Sequence, residues 1–244
     1  MQNYKMTVSY DGTRYSGWQR QGNTASTIQY KLEQALSRLT GEDVEISGSG
    51  RTDAGVHAMG QVANFHLTAR QNCGELMNRL NEALPEDISI LDLRPAAPRF
   101  HARFSAKEKV YRYTIQNSAK KDVFGRKYSY RIPEPLDLAA MEETAKLLLG
   151  THDFRGFATG RTKKSTVRHL SAIEIRREGE RVYLTFTGNG FLYNMVRILT
   201  GTLIEAGLGK RAPDSVLPVL EHGDRTAAGF TAPAHGLCLM EVRY

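Results

Sequence analysis

Asp53 lies in the run Gly48-Ser49-Gly50-Arg51-Thr52-Asp53-Ala54-Gly55-Val56-His57-Ala58. This sets a single carboxylate among three glycines, Gly48, Gly50 and Gly55, with Arg51 two residues before it and His57 four after. A packed core gains nothing from such a run. Glycine costs conformational entropy that only a tight turn or a close backbone approach returns. Arg51 can hold the carboxylate ionised near neutral pH. Two phosphate-loop readings fail on spacing. Asp53 falls where a dinucleotide fingerprint needs its third glycine, and its charge would repel a pyrophosphate. Gly50-x-x-x-x-Gly55 is followed by Val-His, not by Lys-Ser/Thr. A turn closed by the Asp53 side chain stays open as the bland alternative, although such a turn needs no adjacent cation.

Other polar groups are weaker candidates. The seven histidines contain no HExxH, and His57, His66 and His101 have no metal-ligand spacing. No metal site is expected, and His57 reads first as a loop-packing residue. Gly150-Thr151-His152-Asp153-Phe154 pairs a histidine with a carboxylate, which suits a general base or, equally, a surface turn. Asp11-Gly12 reads as a turn after a first strand, and Tyr15, Trp18 and Gln19 can line a groove. Trp18, the one tryptophan, is read as packing before stacking. Arg197 interrupts the apolar run Phe191–Leu199. A charge on a buried helix must reach the surface or find a partner, and by chemistry Asp53 is the best carboxylate for it.

The elements that must position these groups follow from periodicity. Residues 4–10 alternate as a strand. Ser26-x-x-Gln29 has the form of a capping box before a helix bearing Ile28, Leu32, Leu36 and Leu39 on one face. Strands are expected at Val44–Ser47 and Val62–Leu67. A helix through Leu76, Leu80, Ala83 and Leu84 stops at Pro85, and a strand follows at Ile88–Leu93. The second half gives strands at 109–116 and 126–132, a helix at 137–149, and a hairpin of 168–177 with 181–187. A helix over 191–206 ends near Gly207 and Gly209, a short one starts at Pro213, and Leu237–Tyr244 closes as a strand. The first half reads β-α-β-β-α-β, the ferredoxin-like order. The fold class is α+β: two ferredoxin-like, RRM-like halves, residues 1–103 and 104–244, with antiparallel sheets flanking a basic cleft.

Charge is divided unevenly between these halves. The chain has 244 residues, 41% hydrophobic and 24% charged, with a net charge of +7. Residues 1–105 carry 11 basic and 11 acidic side chains, residues 106–244 carry 22 and 15, so the whole excess lies in the second half. Lys107–Arg131 holds eight basic residues against two acidic, and Arg155–Arg168 five against none. Each run alone suits a solvated face. With Tyr111, Tyr113, Phe124, Tyr128, Tyr130, Phe154 and Phe157 interleaved, they favour a polyanion whose bases stack. Two cysteines are too few for a disulfide framework. No apolar run reaches membrane-span length, and no signal-peptide core is expected at the N-terminus. A reducing cytoplasm is the expected compartment.

Together these residues resemble the tRNA pseudouridine synthase A (TruA) family. Gly50-Arg51-Thr52-Asp53-Ala54-Gly55-Val56-His57-Ala58 matches its catalytic signature throughout. Further matches are Tyr10-Asp11-Gly12 with Tyr15-Ser16-Gly17-Trp18-Gln19, Lys109-Val110-Tyr111-Arg112-Tyr113, Gly150–Phe154, Phe191–Arg197 and Ala232–Leu237. The resemblance implies two α+β halves facing a positively charged cleft and a homodimer that shares each tRNA. It implies the anticodon stem-loop as substrate, with uridines 38 to 40 converted to pseudouridine, and no cofactor. It makes Asp53, Tyr111 and Arg197 the catalytic candidates, and Arg51, Tyr111 and His57 the substrate-binding ones.

The chemistry suits these residues. Isomerisation breaks the N1–C1′ bond and joins C5 to C1′, and a lone carboxylate is the group that glycosyl chemistry sets against the cationic sugar centre. Asp53 would act there, by attack on C1′ or by removing a sugar proton to give a glycal. Arg197 and Arg51 would keep it ionised, and Tyr111 would stack on the flipped base and help remove the C5 proton. Two other classes stay open. A non-catalytic RNA-binding protein explains the basic half but not the Arg-flanked carboxylate. A nucleoside glycosidase needs a second acid, for which Asp11 is the tempting residue.

Overall fold

A computed structural model describes residues 1–160 and 164–244, in two compact units: Met1–Lys107 with Cys238–Tyr244, and Glu108–Leu237. The sequence divides the chain at 103/104 and assigns the closing strand to the second half. Packing instead divides it after Lys107 and returns that strand to the first unit.

In the first unit β1 (Gln2–Tyr10) buries Tyr4, Met6, Val8 and Tyr10 through strict alternation. Helix α1 (Ile28–Thr40) buries Ile28, Leu32, Ala35 and Leu36 and ends at Gly41, φ +74°. Its cap is Thr27, whose hydroxyl accepts the Tyr30 N–H at 3.3 Å, and not Ser26 as the capping-box reading expects. The strand expected at Val44–Ser47 shrinks to β2 (Ser47–Gly48). Side chains take the backbone donors it would need: Val44 N–H goes to Ser37 Oγ and Ile46 N–H to Glu33 Oε1. Strand β3 (His57–Leu67) begins five residues before the expected Val62. Helix α2 (Cys73–Ala83), capped by Asn72, leads to β4 (Ile88–Pro95). The strand order is β4-β1-β3-β2, with β1 antiparallel to both neighbours and β2 antiparallel to β3. Cys238 and Leu239 pair in parallel with His57 and Ala58.

In the second unit β5 (Glu108–Asn117) pairs antiparallel with β9 (Arg181–Gly188) and parallel with the short β6 (Tyr130–Ile132). The strand expected over 126–132 is cut back by a 3-10 turn at Gly125–Lys127, whose Gly125 carbonyl accepts the Tyr128 N–H and the Ser129 hydroxyl. Helix α3 (Leu138–Leu147) is capped by Asp137. Strands β7 (Gly150–Asp153) and β8 (Val167–Glu178) complete an antiparallel order β5-β9-β8-β7, and Gly179, φ +59°, turns the β8–β9 hairpin. Helix α4 (Met195–Gly207) is buried almost along its length and packs on α3. It starts at Met195, not at 191, because Asn194 adopts a left-handed conformation. A short α5 (Val216–His222) follows, and β10 (Leu237–Arg243) closes the chain. Both units are thus α+β with largely antiparallel sheets. Among the described residues no helix is long and apolar enough to cross a membrane. Of the basic run Arg155–Arg168, Arg161 and Lys163 lie outside the described residues.

Candidate active site

The Asp53 loop connects β2 to β3 and is tied down at nearly every residue. Ser49 donates its N–H to the Val62 carbonyl at 2.7 Å and its hydroxyl to Gln61 Oε1 at 2.6 Å. Gln61 Nε2 returns to the Gly50 carbonyl at 3.0 Å. The Thr52 hydroxyl meets the Tyr10 hydroxyl at 2.8 Å, and its carbonyl accepts the Trp18 N–H at 3.1 Å. After Asp53 the chain reverses: Val56 N–H reaches the Asp53 carbonyl at 3.2 Å, with Gly55 at φ +78° in the turn. Gly55 N–H is held by the Tyr15 carbonyl at 3.3 Å. Ser49 and Thr52 are buried while Asp53 is half-buried, so a rigid loop presents one partly accessible carboxylate.

The segment Tyr10–Gln19 clamps this loop. A Cβ on Gly12 would lie 2.0 Å from the Val56 carbonyl oxygen, and one on Gly17, φ +93°, would lie 2.5 Å from that of Thr52. A Cβ on Gly48 would strike the Trp18 indole at 2.4 Å. Gly48 therefore makes room for Trp18, itself 2% exposed, and not for a ligand. Tyr15 is anchored by its hydroxyl on Asp87, and burial first, then that hydrogen bond, push its phenol well above the usual range.

His57 is 5% exposed, and its Nδ1 accepts the Gly12 N–H at 3.1 Å. Asp11 Oδ1 lies 3.1 Å from the same nitrogen. Nδ1 is therefore engaged within the loop, between the Gly12 N–H and the Asp11 carboxylate. Asp11 Oδ1 in turn accepts the Thr13 N–H and hydroxyl. This geometry suits loop packing better than substrate contact. Arg51 is exposed, and its Nε donates to Gln19 Oε1 at 3.1 Å.

In the second unit Tyr111 sits on β5 opposite Phe186 and meets Phe191 edge-on at 5.2 Å. Tyr113, two residues on, is fully buried and donates its hydroxyl to the Pro233 carbonyl at 2.8 Å. Burial pushes its phenol far above the ordinary value. Arg197 occupies the first turn of α4, half-buried. Its Nε donates to the Ala232 carbonyl at 2.7 Å and Nη1 to Asn194 Oδ1 at 2.8 Å. Asn194 holds Thr159 through its amide nitrogen at 2.8 Å. The His152-Asp153 pair forms no base: Asp153 Oδ1 accepts the Arg155 N–H, and His152 Nε2 bonds the Leu149 carbonyl. Among the described residues no three His, Cys, Asp or Glu side chains are grouped to hold a metal.

Arg51, Asp53 and His57 thus share one anchored segment of the first unit, while Tyr111 and Arg197 belong to the second. Sequence reasoning missed Gln61, Thr52 and Asn194. The last was findable, since an asparagine just before a helix is a cap or left-handed signal.

Comparison with known proteins adds the chemistry's context. The tRNA pseudouridine synthase family model matches residues 6–105 and 144–244. A tRNA pseudouridine synthase A of Bacillus sp. (strain KSM-64) is 46% identical over the full length of both chains. A tRNA pseudouridine synthase A 2 of Bacillus anthracis and a tRNA pseudouridine synthase A of Acetivibrio thermocellus are each 44% identical, also over the full length of both. This chain belongs to the tRNA pseudouridine synthase family.

Proposed function

We propose that this protein isomerises uridine to pseudouridine at positions 38 to 40 of the tRNA anticodon stem-loop, with Asp53 as the nucleophile. One observation carries the reading: a partly accessible carboxylate on a loop fastened to Tyr10, Tyr15, Trp18, Gln61 and Val62. In a chain of this family, such a group supports attack at a sugar carbon over turn formation.

The target uridine first leaves its stack, at a cost of a few kcal/mol, which phosphate contacts to the basic second half offset. Asp53 attacks C1′ as the N1–C1′ bond breaks, and uracil departs with the electron pair. The base turns over, C5 attacks C1′ and displaces the carboxylate. The C5 proton is removed and N1 is protonated, so that the product is an isomer and no water enters. Tyr111 stacks on the flipped base and takes part in the C5 proton transfer. Arg197, fixed by Ala232 and Asn194, is the third catalytic residue of the proposal. Arg51 contacts the RNA. Ferredoxin-like halves flanking a basic cleft, a homodimer sharing each tRNA, and a cytoplasmic location complete the proposal.

The test is incubation with unmodified tRNA followed by mapping of pseudouridine. Product at positions 38 to 40 supports the reading. Free uracil would indicate a glycosidase, and tight binding without product an RNA-binding protein.

A further inference from the structure

Gln29 and Glu33 lie one turn apart on α1 and are 9% and 5% exposed. Neither belongs to the Asp53 loop. Glu33 Oε1 accepts Gln29 Nε2–H at 2.8 Å and the Ile46 N–H at 3.1 Å, and Oε2 lies 3.2 Å from Arg20 Nη1. Gln29 Nε2 also donates to the Ile46 carbonyl at 3.1 Å. Gln29 Oε1 accepts Gln19 Nε2–H at 2.8 Å and the Arg20 N–H at 3.0 Å. Gln19 Oε1 accepts Arg51 Nε–H at 3.1 Å. An unbroken chain of side-chain hydrogen bonds therefore runs from a buried carboxylate to the arginine two residues before Asp53.

Its polarity is forced. A carboxylate only accepts, so Gln29 must turn its NH2 toward Glu33 and its oxygen toward Gln19. Gln19 must then give its NH2 to that oxygen, which leaves its own oxygen for the Arg51 Nε–H. Reversing either amide sets donor against donor or acceptor against acceptor. Glu33, the Ile46 carbonyl and the Arg20 N–H together set, through two glutamines, that an acceptor faces Arg51. Among the described residues Arg51 makes this hydrogen bond and no other. Without it, a long exposed side chain would sample many rotamers.

We infer that Gln19, Gln29 and Glu33 are positioning residues, a relay that holds the Arg51 guanidinium by its Nε edge and keeps its two distal nitrogens ready for an RNA phosphate beside the target uridine. The inference rests on the proposed function for its substrate, and on the hydrogen-bond chain for everything else.

The test combines single-turnover kinetics on unmodified tRNA with the NMR order parameter of the Arg51 Nε–H, which needs no substrate. Gln19→Met should slow turnover about tenfold while the melting temperature stays within about 2 °C. Gln19→Glu, which keeps an acceptor for Nε but sets a second oxygen against Gln29 Oε1, should recover the rate only in part. In an Arg51→Met background Gln19→Met should add nothing, because it acts only through Arg51. The order parameter should fall in Gln19→Met and in Gln29→Met, which removes the acceptor that holds the Gln19 amide. Equal losses in both backgrounds, or no loss in either, would overturn the relay, as would an unchanged order parameter whether or not product forms. Absence of pseudouridine from the wild type would instead refute the proposed function.

Discussion

Asn194, at φ +60°, holds the Arg197 guanidinium three residues along the chain through Oδ1, at 2.8 Å from Nη1. Among the described residues it is the single non-glycine with positive φ. Asparagine tolerates that conformation better than most side chains, and strained positions of this kind cluster where function fixes a group.

Asn194 separates backbone strain from arginine positioning. Asn194→Gly accepts the backbone but deletes the carboxamide, so turnover should drop about tenfold with modest loss of stability. Asn194→Ala should lose about 1 kcal/mol more in thermal or urea unfolding, from a Cβ held left-handed. Full turnover in the glycine variant would show that Arg197 needs no such support.

Tyr111 and Tyr113 share β5 and one face of it but should behave oppositely. Tyr113→Phe removes a buried donor to the Pro233 carbonyl and should cost about 1 kcal/mol of stability, with turnover per folded molecule little changed. Tyr111→Phe should reduce the chemical rate more than tRNA affinity. Single-turnover rates beside equilibrium binding give the answer, and an unchanged rate leaves Tyr111 with stacking alone.

The acid limb of stability should carry a signature of Glu42. Its carboxylate accepts the Thr68 N–H at 2.9 Å and approaches that of Ala69 at 3.4 Å, and the Thr68 bond first of all holds its pKa below the usual 4.5. A depressed folded pKa means that the contribution is present above the unfolded value and is lost as pH falls through the folded one. Melting temperature against pH should therefore fall less steeply for Glu42→Gln than for wild type between about pH 5 and pH 3. Parallel curves would remove the clamp from the account.

Periodicity made the helices and most strands legible, because each is a local pattern. What escaped depends on distant partners. Val44 and Ile46 look like strand residues, but Ser37 and Glu33 take their N–H groups. The closing strand looks like part of the half that precedes it, yet it pairs with His57 and Ala58. Gly48 reads as a glycine for a tight turn or a close approach, and Trp18, thirty residues away in sequence, is what approaches it. Asp53 stood out because an arginine and glycines surround it. Gln19, Gln29 and Glu33 did not, since nothing in their spacing reveals that two amides and a carboxylate join in one chain.

The measurement closest to the central claim is pseudouridine formation by Asp53→Asn on unmodified tRNA, read together with tRNA affinity. The account predicts no detectable product and a Kd within about tenfold of wild type, or ~1.4 kcal/mol. Turnover near the wild-type rate would contradict it.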